Sequence, residues 1–159
     1  MILVCVTDQE SCDRLIRTAA DLGAMNNEKI DVLTVQPKIL GQTNQSGNCW
    51  LGSNELQYLA KISHSFGANL NFIFHDSPEW AIAEYAQNHC CNSVVIGAGR
   101  GRLANKFFKS LQILLPNTKI YVVDENSNIS EHNSSDHQHW HVPLIANEGE
   151  RQGTPHNSP

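Results

Sequence analysis

The sequence predicts one three-layer α/β/α domain on a five-stranded parallel sheet, in strand order 3-2-1-4-5, followed by a polar tail. Three observations carry this expectation. Short runs rich in Val, Ile and Leu alternate with helix-like stretches as far as Asp124. The runs are apolar at successive positions, as strands covered on both faces require. Strands alternating with helices imply right-handed crossovers and hence parallel pairing. The composition then changes at Glu125, from where Asn, Ser, His, Gln, Gly and Pro dominate. Such a segment buries too little apolar surface to offset its ordering entropy. The division is therefore residues 1–124 as the folded domain and 125–159 as a disordered, His-rich tail.

Each element has a local reason. Ile2 to Val6 reads as the first strand, and Ser11 to Leu22 as a helix with Leu15, Ile16, Ala19 and Leu22 on one face, ended with the help of Gly23. Ile30 to Val35 is a second strand, stopped by Gln36-Pro37. Residues 38–52 carry Gly41, Gly47 and Gly52 among Gln, Asn and Ser, and read as a long polar connection. Ser53 is placed to cap a helix reaching Phe66, with Gly67 beyond it. Leu70 to Phe74 is a third strand. Ser77 caps a helix that has Pro78 at its first position, where a missing N–H costs nothing, and that runs to about Asn88. Val94 to Ile96 and Lys119 to Val123 are the last two strands, with a helical pattern from Leu103 to Leu115 between them.

Charge and composition exclude several classes. Residues 1–124 hold eleven acids and ten bases, and the tail supplies most of the formal −5. A near-neutral domain with one local basic cluster does not match a nucleic-acid binder. No stretch reaches the ~18 apolar residues of a membrane span, and the start lacks a signal-peptide layout. The five cysteines, Cys5, Cys12, Cys49, Cys90 and Cys91, have no zinc spacing and fit reduced thiols. The expected location is the cytoplasm.

The segment from Val94 onward carries the functional signal. An apolar strand stops at alternating glycines, Gly97, Gly99 and Gly101, and an amphipathic helix follows. That order presents backbone N–H groups and a helix N-terminus to an anion. Four of the eleven Lys and Arg residues, Arg100, Arg102, Lys106 and Lys109, lie in the same segment. Arg100 and Arg102 are suited to charge-assisted bonds with phosphate oxygens. The bland alternative is a tight strand-to-helix turn followed by a solvated helix face. Thr7 and Asp8 follow the first strand on the side where such folds bind ligands. Asp8 serves either as an acceptor for a ribose hydroxyl or as a helix cap.

Taken together, Ile-Leu-Val-Cys-Val at the start, Arg14-Leu-Ile-Arg-Thr-Ala-Ala20, and the unit from Val94 through Leu114-Leu115-Pro116 to Val123 resemble the universal stress protein family. The version found in Kdp-type potassium-sensing histidine kinases is the nearer likeness. Members that bind ATP carry Gly-x2-Gly-x9-Gly-[Ser/Thr] after the fourth strand. Gly97 matches the first glycine, Arg100 stands at the second, Lys109 at the third, and Ser110 at the hydroxyl, one residue early. The first loop reads Val6-Thr7-Asp8-Gln9, where ATP binders resemble Val-Asp-Gly-Ser. The resemblance implies an adenine-containing ligand (ATP, AMP or cyclic di-AMP, with or without Mg) held by Thr7, Asp8, Val35, Gly97, Gly99, Arg100, Gly101, Arg102 and Ser110. Val35 enters this set because backbone at the end of the second strand contacts adenine in the family. The resemblance also implies a stress or potassium/osmotic signalling role, a homodimer through the last strand, and a signalling or transporter partner. Its rival is a ligand-free interaction module with a degenerate pocket.

Chemistry beyond binding is not expected. No Gly-x-Ser-x-Gly, His-Glu-x-x-His or Gly-x-x-x-x-Gly-Lys-[Ser/Thr] motif occurs, so no catalytic residue is assigned. Slow ATP hydrolysis is the one activity that the wider superfamily implies. His137, His139 and His141 alternate in the tail and could share a metal ion if extended, yet scattered tail histidines commonly bind metal adventitiously. No metal site is assigned.

Overall fold

The computed structural model describes residues 1–7, 9–38 and 52–133. In chain order the elements are β1 (Ile2–Cys5), α1 (Gln9–Asn26), β2 (Ile30–Gln36), α2 (Ser53–Ser65), β3 (Leu70–Phe74), α3 (Pro78–Asn88), β4 (Ser93–Gly97), α4 (Gly101–Leu114), β5 (Lys119–Val123) and β6 (Ile129–His132). The sheet runs β3-β2-β1-β4-β5-β6. Its first five strands are parallel, and β6 returns antiparallel along β5.

Alternation along the central strands divides the core into two layers. Ile2, Val4, Val32, Val95 and Tyr121 meet the α1 and α2 side, where Leu15, Ile16, Ala19 and Leu59 are buried. Leu3, Cys5, Leu33, Val94, Ile96 and Ile120 face α3 and α4, where Ala81, Ile82, Leu111 and Leu115 are buried. Both faces of β1 and β4 are therefore dry, which is why these strands read as uninterrupted apolar runs. Because β1 pairs with β2 on one side and β4 on the other, the strand order reverses there. A ligand crevice is expected beyond the carboxyl ends at that point.

Most element ends shift by one or two residues from the sequence reading, and three differences have a structural reason. Helix α1 continues past Gly23 to Asn26 and is closed by Asn27 at φ 54°, a conformation that Asn tolerates better than most residues. Gly52, rather than Ser53, occupies the N-cap of α2. The third difference is the largest. Residues 125–133, assigned from composition to the disordered tail, form a turn and the strand β6, so the sheet has six strands among the described residues.

That strand is held by one built turn. The Asp124 carboxylate accepts the N–H groups of Asn126 and Asn128 through Oδ1, both at 2.8 Å, and the Asn128 side-chain amide at 3.1 Å through Oδ2. Ser127 takes φ 64° at the tip. The backbone N–H of Asp124 donates to the Asn128 carbonyl at 3.0 Å, closing the loop. The outer edge of β5, expected to pair across a two-fold axis, is thus occupied by the chain's own β6. The remainder of the tail, with His137, His139 and His141, lies outside the described residues, as do Asp8, Cys49 and nearly all of the 38–52 connection.

Candidate functional site

A cleft of about 1020 Å³ opens beyond the carboxyl ends of β1, β2, β4 and β5. Its floor is Cys5, Val6, Leu33, Val35 and Ile96, buried residues in or just beyond the carboxyl halves of β1, β2 and β4. One wall is the start of α1, with Ser11, Arg14 and Leu15, next to Thr7. The opposite wall is the first half of α4, with Leu103, Ala104, Phe107 and Phe108. Pro78 and Ile82 of α3 bound one end, and Val122, Glu125 and His132 the other.

The glycine loop crosses the middle of this cleft. Gly97, Ala98, Gly99 and Arg100 all line it. The Ala98 N–H donates to the Val123 carbonyl at 2.8 Å, which fastens the loop to β5. Arg100 is the N-cap of α4 and Gly101 opens the helix at φ 82°, the left-handed region that favours glycine. A Cβ on Gly99 would lie 2.7 Å from the Cβ of Ala104, so the backbone approaches α4 too closely for any side chain. The glycines thus serve the turn directly: one for conformation and one for approach.

Of the residues assigned from sequence, the structure brings Thr7, Val35, Gly97, Gly99 and Arg100 to the cleft. Asp8 lies outside the described residues. Gly101, Arg102 and Ser110 are not among the lining residues. Arg102 stands on the exposed side of the first helical turn, whereas Ser110, one turn after Phe107 and on the same face, lies further along α4 than Phe108, the last residue of the helix to line the cleft. Lys106 and Lys109 are likewise solvent-exposed, so most of the basic cluster is a hydrated helix face.

The polar lining residues that escaped the sequence reading are Ser11, Arg14, Asn105, Glu125 and His132, beside several apolar ones. Arg14 has a buried Nε with no hydrogen-bond partner among the described residues, and Ser11 lies one turn before it on α1. Their signal was the three-residue spacing after the first strand. Glu125 and His132 were hidden by their place in a polar stretch, although Asp124-Glu-Asn-Ser-Asn128 followed by Ile129 is a turn composition leading into a strand.

The electrostatics are mixed. Arg100 is ion-paired with Glu125, both side chains largely in solvent. Backbone N–H bonds from Asn128 hold the neighbouring Asp124 carboxyl below its ordinary range. Burial pushes the Cys5 thiol far above its usual value, so it is an apolar floor residue rather than a nucleophile. Among the described residues no group of three or more His, Cys, Asp or Glu could hold a metal ion. No described helix is long and apolar enough to cross a membrane.

A fastened glycine loop at a helix N-terminus, set over the switch point of a parallel sheet, is the place where open α/β folds as a class hold their ligands. The universal stress protein family model matches residues 1–113, and the chain belongs to that family. A search of curated proteins finds no match. Similar solved structures include a universal stress protein from Archaeoglobus fulgidus, at TM-score 0.55 and 17% identity, covering 81% of this chain and 92% of that one. The Archaeoglobus fulgidus protein in complex with dAMP gives 0.53 and 15%, covering 81% and 96%. A universal stress protein in complex with cAMP gives 0.53 and 16%, covering 80% and 97%. At these identities the likeness shows the fold.

Proposed function

We propose that this chain is a regulatory domain that binds an adenine nucleotide in the cleft over β1 and β4. The carrying observation is the arrangement of the cleft. An apolar floor at Leu33, Val35 and Ile96 lies beside the fastened loop Gly97–Arg100 and the start of α4. A base needs the former and a phosphate the latter. The complexes of similar folds with dAMP and cAMP support the same reading. ATP and cyclic di-AMP are the further candidates, with Mg as a companion ion. The chain is read as a cytoplasmic binder without catalytic residues, signalling in a stress or potassium/osmotic response, as its likeness to the kinase-associated branch implies. A partner protein or a second copy would read the liganded surface.

The test is thermal stability of the full chain against AMP, ATP and cyclic di-AMP, each with and without magnesium. A ligand at ~100 times its dissociation constant adds ~2.7 kcal/mol and raises the midpoint by several degrees. Arg100→Ala is expected to weaken the active ligand by about 1.5–3 kcal/mol, the range for a hydrogen bond to a charged group. No shift with any nucleotide would favour the ligand-free interaction module. One observation speaks for that second reading: the guanidinium of Arg100 is already engaged by Glu125. Pull-down partners unaffected by Arg100→Ala would then identify its role.

A further inference from the structure

We infer that Glu125 is a charge selector for the cleft, competing with ligand phosphate for Arg100 and so favouring monophosphate esters over polyphosphates. The inference deepens the nucleotide reading and rests on it for the identity of the ligand.

Glu125 is placed there by construction. The Ala98 N–H to Val123 carbonyl bond ties the glycine loop to the end of β5. The Asp124 turn then fixes the next residues, through its bonds to Asn126 and Asn128. Between those two anchors Glu125 lines the cleft and takes the Arg100 side chain. Its carboxylate therefore engages the guanidinium that the loop presents at the cleft. A carboxylate and a phosphate oxygen ask for the same guanidinium fork, so the two compete directly.

The charges around the cleft set which ligands win. Arg14 and Arg100 face it with Glu125, an excess of one formal positive charge among the described lining residues. The other basic side chains of the segment, Arg102, Lys106 and Lys109, are exposed and off the lining. A ligand with one or two negative charges is balanced by Arg14 together with a released Arg100. Each added phosphate brings charge that no lining cation meets and that Glu125 repels. Two unit charges ~4 Å apart in water interact by ~1 kcal/mol, about fivefold in affinity, and the repulsion grows with ligand charge. Because the Arg100–Glu125 pair is exposed on both sides, it contributes little to folding, and its removal leaves the fold standing.

The test titrates wild type, Glu125→Gln, Arg100→Gln and the double variant, as full chains at low fixed ionic strength. The probes are adenosine, inorganic phosphate, pyrophosphate and tripolyphosphate. Glu125→Gln is expected to keep the thermal midpoint, leave adenosine unchanged, and tighten phosphate by about fivefold and the longer anions more. In the Arg100→Gln background the gain should shrink, since nothing is left to compete for. No gain with Glu125→Gln, an equal gain for uncharged adenosine, or a full gain without Arg100 would each overturn the selector. Absence of anion binding to wild type and Glu125→Gln alike would also overturn it, even if adenosine binds. Anion binding that responds to Glu125→Gln without any adenosine binding would instead remove the adenine reading and keep the selector.

Discussion

Phe108 of α4 and His132 of β6 meet edge to face, with ring centroids 4.9 Å apart and planes at 72°. The contact joins the helix that follows the glycine loop to the strand that composition assigned to the tail. It makes β6 part of the domain. Both residues also line the cleft.

His132→Ala is therefore expected to destabilise the domain by about 0.5–1.5 kcal/mol, the range for an aromatic pair beyond its area. Urea melts of the full chain would measure this. An unchanged midpoint would mean that α4 and β6 are not coupled through these rings.

The two special glycines should differ in how they fail. Gly101→Ala forces a side chain into φ 82° in open space, a purely conformational cost of about 1–2 kcal/mol. Gly99→Ala drives a methyl against Ala104 and must displace the loop, costing ~1–3 kcal/mol as overpacking. Only the second should also cost nucleotide affinity by moving the loop. Denaturant melts paired with ligand titrations separate the two.

Acid should weaken the turn that carries Glu125. Asp124 has a folded value below its ordinary one, held down by the backbone N–H and side-chain bonds of Asn128 and by Asn126. A depressed carboxyl contributes stability that is fully present above its unfolded value near ~4 and is lost as pH falls through the folded value. Glu28, lowered chiefly by its bond to the N-terminal ammonium at 3.0 Å, adds in the same direction. Asp124→Asn should flatten the fall in stability below about pH 4, read from melts across pH 2–6. A profile identical to wild type would show that the turn does not bind the carboxylate.

Thiol chemistry should be selective. Cys90 is exposed, whereas Cys5, Cys12 and Cys91 are buried. Burial pushes the Cys91 thiol up to about 11 and Cys5 higher still. Alkylation near pH 8 should modify Cys90 in the native chain and leave those three untouched until denaturant is added, as peptide mass spectrometry would show. Native labelling of Cys5 would contradict the closed floor of the cleft.

What the sequence determined by itself was whatever local pattern dictates. Val94 to Ile96 followed by Gly97, Gly99 and Gly101 fixes a buried strand, a tight turn and a helix start, because few other structures admit that order. The same logic located β1 and β4, whose apolar runs need cover on both faces; β3 was legible from its apolar run although Phe72 and Phe74 stay exposed at the sheet edge. Tertiary structure decided what no single segment encodes. Helical phase on α4 turns Arg102 from the cleft, distance along the helix keeps Ser110 from it, and Arg100, the extended N-cap, stays on it. Residues 125–133 are too polar to read as a strand, and they become one because β5 offers an unpaired edge and Asp124 builds the turn. Glu125 meets Arg100 across 25 positions of chain. Only folding could bring that carboxylate to the loop whose charge it now offsets.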